Sequence, residues 1–196
     1  MLSVDKNIKN EIIIEKSKFI TYLCYLNDFD EIDIIMNDLK KKYKDATHHC
    51  YAYIYDEKKK MSDDGEPSGT AGMPILNVLE SNKLNHILCI VIRYFGGTKL
   101  GAGGLVRAYT RSVTDALEKT NIVNLEPGLK IRITFSYNMI KQVDYILNQF
   151  QIINKEFGEY IKYEILISKS DENILKSKIK SYLINYEILE ELYIKR

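Results

Sequence analysis

Arginine, lysine and glycine crowd together in residues 93–111, RYFGGTKLGAGGLVRAYTR, and just upstream lie a histidine pair, His48 and His49, and an acidic loop, Ser62-Asp63-Asp64-Gly65-Glu66. The first grouping has the chemistry of anion binding. Where a glycine-rich turn opens a helix, unpaired backbone N–H groups favour phosphate or carboxylate, and nearby guanidinium or ammonium groups supply the opposing charge. Arg93, Gly96, Gly97, Lys99, Gly101, Gly103, Gly104, Arg107 and Arg111 are therefore candidate contacts for an anionic ligand such as RNA, with Tyr94, Phe95 and Tyr109 as faces on which bases could stack. The acidic grouping suggests a second chemistry. Asp63, Asp64 and Glu66 could hold magnesium opposite a bound phosphate, with His48 or His49 as a base.

The spacing sets limits on both. A P-loop needs Gly-Lys-Ser/Thr, but Lys99 follows Thr98 and precedes Leu100; a dinucleotide fingerprint needs a glycine three residues after Gly103, where Val106 stands. Adjacent histidines on a strand point to opposite faces, so His48 and His49 do not grip one ion. No Ser-His-Asp or Cys-His nucleophile pattern is present. No residue is assigned a catalytic role, and neither a resident metal nor an organic cofactor is expected.

The 196 residues carry 28 basic and 27 acidic side chains, so any contact with nucleic acid must come from a local patch rather than from net charge. Cys24, Cys50 and Cys89 sit singly in apolar runs without metal-ligand spacing and read as buried thiols. No apolar run approaches the ~18 residues of a membrane span, and the N-terminus lacks a signal-peptide core; a soluble, cytoplasmic protein with no membrane partner is expected.

The elements that position these residues follow from periodicity. Residues 11–25 predict a hairpin broken at Glu15–Lys18, and a helix follows that Asn27 or Asp28 can cap, with Asp30 and Glu31 in its first turn, Ile32, Ile35, Met36, Leu39 and Tyr43 at helical spacing and Lys40–Lys42 in its last turn. Thr47–Tyr55 reads as a strand, Asp56–Lys60 as a charged turn, residues 71–81 as a helix with Pro74 in its first turn, and His86–Tyr94 as the central strand. A helix from Gly103 to Lys119 places Leu105, Tyr109, Ser112, Ala116 and Leu117 inward and Arg107 with Arg111 on another face, where Asp115 is one turn from Arg111. Ile122–Gly128, with Pro127, reads as a linker. Beyond it the order strand, helix, strand, strand, helix, strand predicts a ferredoxin-like domain. The fold class expected is α+β in two domains, residues 1–124 and 125–196.

The middle of the chain resembles the YigZ/Impact family. The matching residues are Ala46–Tyr53, Ser62–Gly72, Pro74–Leu76, Arg93–Gly97, Leu100-Gly101, Gly103–Leu105 and Arg107–Tyr109; Met73 stands where many members carry lysine or arginine. The resemblance implies an N-terminal domain like the second domain of ribosomal small-subunit protein five, a C-terminal ferredoxin-like domain, and work linked to RNA or to the ribosome. Eukaryotic relatives act in translation control. Joined to the residue chemistry, it predicts a non-enzymatic binding module whose partner is RNA or a ribosome-associated protein. The alternatives are a magnesium-dependent enzyme acting on a phosphate-containing substrate and a pure protein-interaction module. The oligomeric state is not legible.

Overall fold

Glu15 and Lys16 turn the apolar run of residues 11–25 back on itself. In the computed structural model, which describes residues 1–195, the chain opens with β1 (Leu2–Val4), then β2 (Ile8–Ile14) and β3 (Ser17–Tyr25). Ile14 pairs with Ser17, so the loop has two residues, and both have positive φ, 45° at Glu15 and 64° at Lys16. That is the conformation whose twist matches flanking antiparallel strands. Helix α1 (Glu31–Lys42) follows, with Lys40, Lys41 and Lys42 in its last turn. Its N-cap is Asp30, without a side-chain cap; Asp28 instead accepts from the Asp30 amide at 2.8 Å.

Next come β4 (His48–Tyr55), β5 (Lys58–Ser62), α2 (Gly72–Ser81), β6 (Ile87–Tyr94) and α3 (Gly101–Leu117). The strand order β2-β3-β6-β4-β5 makes β6 central and antiparallel to both neighbours. On one face Ile20, Cys24, Leu88, Ile90 and Ile92 pack against Ile32, Met36 and Leu39 of α1. On the other, Phe19 meets Tyr109 of α3 edge-on at 5.3 Å and Thr21 bonds Ser112.

Two sequence expectations are corrected. Residues 58–60 belong to a strand, because Tyr55 pairs with Lys58 across a tight turn in which Asp56 has φ 50°. Three successive lysines hid the strand; on an outer strand such charges deter further pairing. Likewise the supposed linker 122–128 is the start of the fourteen-residue β7 (Ile122–Phe135). Pro127 lies opposite Tyr193, whereas pairing on the other side begins at Gly128, so the missing N–H falls where β7 has one neighbour only.

The chain divides into two units, Met1–Asn124 and the part from Leu125 onward. The second contains the rest of β7, α4 (Ile140–Leu147), β8 (Gln151–Phe157), β9 (Ile161–Ser168), α5 (Glu172–Ile179) and β10 (Asn185–Lys195), with short 3-10 turns beside both helices. Its strands are antiparallel in the order β10-β7-β9-β8. Val143 and Leu147 of α4 and Leu175 and Ile179 of α5 bury their side chains against Ile131, Ile133, Ile165 and Ile167. Among the described residues no helix is long and apolar enough to cross a membrane.

Candidate functional site

Arg93 is the last but one residue of β6, and strand alternation turns its side chain to the face that α3 covers. There it is buried, 4% exposed, and its Nη1 lies 2.7 Å from Oε1 of Glu66 in the acidic loop. Its Nη2 donates to Ser17 Oγ at 3.2 Å, and the hydroxyl of Tyr109 donates to the same Glu66 oxygen at 2.8 Å. Cys50 reaches Tyr109 OH at 3.2 Å, and burial, the largest influence, pushes its thiol up to about 12. The acidic loop thus meets the end of β6 at a buried ion pair.

Two expected roles change in consequence. The Arg93 charge is spent on Glu66 and offers nothing to a solvent-borne anion; a buried charge must be paired to persist. Tyr109 is fully buried, so its ring cannot stack on a base. Tyr94 is half-buried and donates to Asp45 at 3.0 Å, which leaves Phe95, 47% exposed, as the accessible ring of the three.

The magnesium reading is also corrected, since each acid of the first loop has a different task. Asp63 accepts backbone N–H bonds from Gly69, Ala71 and Gly72 at 2.8–2.9 Å and so caps the start of α2. Asp64 Oδ2 accepts from the His49 amide at 2.6 Å, and its carbonyl accepts from His48 Nδ1 at 2.8 Å. A carbonyl cannot donate, so His48 carries its proton on Nδ1. Its Nε2 lies 3.9 Å from Glu66. His49 is held below the ordinary histidine range by burial, against the pull of Asp64. Both histidines therefore brace Asp64. Among the described residues no group of three His, Cys, Asp or Glu could hold a metal ion.

The Asp63 carboxyl is pushed up by burial, but the three amides outweigh this and hold it below the ordinary aspartate value. A depressed folded value means that its stabilising contribution is present above about pH 4 and is lost as pH falls through that folded value. Asp63→Asn is expected to cost about 1–2 kcal/mol at neutral pH and to flatten the acid limb of stability, read by urea unfolding from pH 7 to 3. An unchanged limb would show that the cap is not formed.

The second loop in chain order, the glycine-rich residues 95–100 between β6 and α3, is built differently. Gly96 donates its amide to Ser17 Oγ at 3.2 Å, and the Phe95 amide donates to Thr47 Oγ1 at 3.0 Å. Ser17 and Thr47 anchor the loop, a role that residue type did not reveal: one closes a hairpin turn, and the other, though within the motif Ala46–Tyr53, precedes β4. Gly97 and Gly101 sit at φ 85° and 70°, which favour glycine. Helix α3 then starts from Leu100 with no side-chain cap and no acid in its first turn. Gly101, Ala102 and Gly103 are exposed, as are Lys99 and Arg107, neither of which is in an ion pair among the described residues. Arg111 is exposed but lies 3.5 Å from Asp115, as its one-turn spacing allowed.

Gly103 stands apart from the other motif glycines. A methyl group there would meet only Arg107 Nη1, at an ordinary 3.5 Å, and the backbone is helical. Glycine in that position costs about 1 kcal/mol relative to alanine, and packing does not require it. What it leaves is a bare stretch of helix start, beside Arg107, that another molecule can approach closely.

Residues 15–117 match the model of the Impact N-terminal domain. IMPACT family member YvyE of Bacillus subtilis is 37% identical over 170 residues, covering 84% of this chain and 78% of the relative. IMPACT family member YigZ of Escherichia coli is 30% identical over 176 residues, covering 86% of each. A crystal structure of a hypothetical protein superposes with a TM-score of 0.66 at 28% identity over 92% of this chain and 91% of the other.

Proposed function

The chain belongs to the IMPACT family, and on that premise we propose that it is a non-enzymatic module that binds RNA or a ribosome-associated partner in the regulation of translation. The contact surface is the open start of α3, with Lys99, Gly101, Gly103, Gly104 and Arg107 as its centre and Phe95 at its edge. The observation that carries this reading is the uncapped, exposed first turn of α3 flanked by cations that pair with no acid among the described residues. The start of α2 has Asp63 in that place and is closed to anions. Arg111 contributes at most from the rim, where its charge is shared with Asp115. In this reading residues 1–124 form a domain like the second domain of ribosomal small-subunit protein five. Residues 125–196 form a ferredoxin-like domain, for which the strand order β10-β7-β9-β8 is the support.

The test is ribosome co-sedimentation and filter binding to structured RNA at several salt concentrations. Lys99→Ala combined with Arg107→Ala is expected to weaken binding and to lower the salt slope by about 2, near 0.9 for each phosphate that is no longer neutralised. Gly103→Ala is expected to fold with equal or greater stability yet to bind less well, since the methyl group occupies the line of approach. Binding as tight in the double variant as in the natural chain at low salt would refute the assignment of this surface.

A further inference from the structure

A groove of about 750 Å³ runs along the outer seam of α4 and α5 in the second unit. Lys141 stands on one wall and Lys178 on the other, and among the described residues no carboxylate lines it. Neither lysine is in an ion pair among the described residues, and the acids nearest in sequence are engaged elsewhere: Asp144 with Lys155 at 3.4 Å and Glu172 with Lys176 at 2.7 Å. Tyr145, one turn beyond Lys141, is 79% exposed, and half-buried Tyr182 lines the opposite wall. Asn148 and Gln149 add carboxamides at the end of α4.

We propose that this groove binds single-stranded RNA, independently of the start of α3. The pieces are those such a ligand needs. Aromatic faces accept bases of any sequence, cations placed on both sides meet the backbone phosphates, and amide groups can both donate to and accept from base edges. An acidic peptide would use the lysines but would leave both rings without a stacking partner, which is why a nucleic acid is the better fit. The stripe Lys141, Tyr145, Asn148 follows helical spacing, so all three face the groove together.

The experiment uses the full chain, octauridylate as the probe and octaglutamate as a competitor. Tyr145→Ala is expected to weaken octauridylate binding about tenfold or more without changing the salt slope. Lys141→Ala with Lys178→Ala is expected to weaken it and to lower the slope by about 1.4, near 0.7 for each phosphate on a single strand. Cross-linking with a 4-thiouridine-containing octamer is expected at Tyr145 or Tyr182. The Lys99→Ala, Arg107→Ala double variant separates the two sites, for it is expected to leave the octamer's cross-links in the groove intact. Unchanged affinity in all the groove variants, or displacement of the octamer by octaglutamate at equal concentration, would overturn the groove assignment and leave the α3 surface standing on its own test.

Discussion

Glu66→Ala is expected to unfold with a stability about 3–5 kcal/mol below that of the natural chain, the usual cost of removing one member of a buried ion pair. Glu66 and Arg93 have side chains 3% and 5% exposed, and a single Glu66 oxygen accepts from both Arg93 and Tyr109. Without the carboxylate, the guanidinium keeps one weak bond to Ser17, its Nε has no hydrogen-bond partner among the described residues, and the Tyr109 hydroxyl loses the acceptor that Glu66 provides. The penalty comes mainly from what is left unpaired, not from the intrinsic strength of the pair. Replacing both residues by leucine should therefore recover much of the loss, because two apolar side chains need no partners. Urea unfolding of the natural chain, Glu66→Leu, Arg93→Leu and the variant with both leucines checks this as a thermodynamic cycle, beside Glu66→Ala. A loss below about 1 kcal/mol for Glu66→Ala would mean that water reaches the pair.

Gly96→Ala is expected to cost about 3 kcal/mol or more, at the upper end for overfilling a packed site. The added Cβ would stand 2.0 Å from the carbonyl carbon of Lys16, 2.1 Å from its oxygen and 2.4 Å from the nitrogen of Ser17. All three are backbone atoms, so no side chain can swing aside. The turn they belong to is already confined, with Glu15 and Lys16 both at positive φ between paired strands. Relief requires the second loop to lift away from β3, and the Gly96–Ser17 bond breaks with it. Loss of stability should come with loss of binding at α3. Calorimetry together with co-sedimentation reads both effects, and a variant as stable as the natural chain would show that the loop does not rest on the hairpin.

Much of the architecture was legible because it depends on local pattern. The run Ile87–Tyr94 is apolar on both faces, as a strand between two layers must be, and it is the central strand. The inward stripe of α3, from Leu105 to Leu117, is buried as its spacing required. Where local pattern and tertiary context disagree, the reading failed: Lys58–Lys60 looks like a turn until Tyr53 and Tyr55 pair with it, and Pro127 looks like a linker until β10 lies beside it. The loops presented a different difficulty. Glycines, acids and cations mark residues 62–111 as the candidate site, but do not say which charges pair within the protein and which stay outside its ion pairs.

Residue order alone determined the succession of strands and helices and the concentration of glycine around residues 65–104, since periodicity and backbone freedom are properties of short stretches of chain. Only the folded arrangement decided that Arg93 is neutralised by a carboxylate 27 positions away and that Asp63 closes α2, while Lys99 and Arg107 stay outside the ion pairs of the described residues, beside an open helix start. An ion pair is a matter of distance and burial in space, and neither is written in the spacing of residues along the chain.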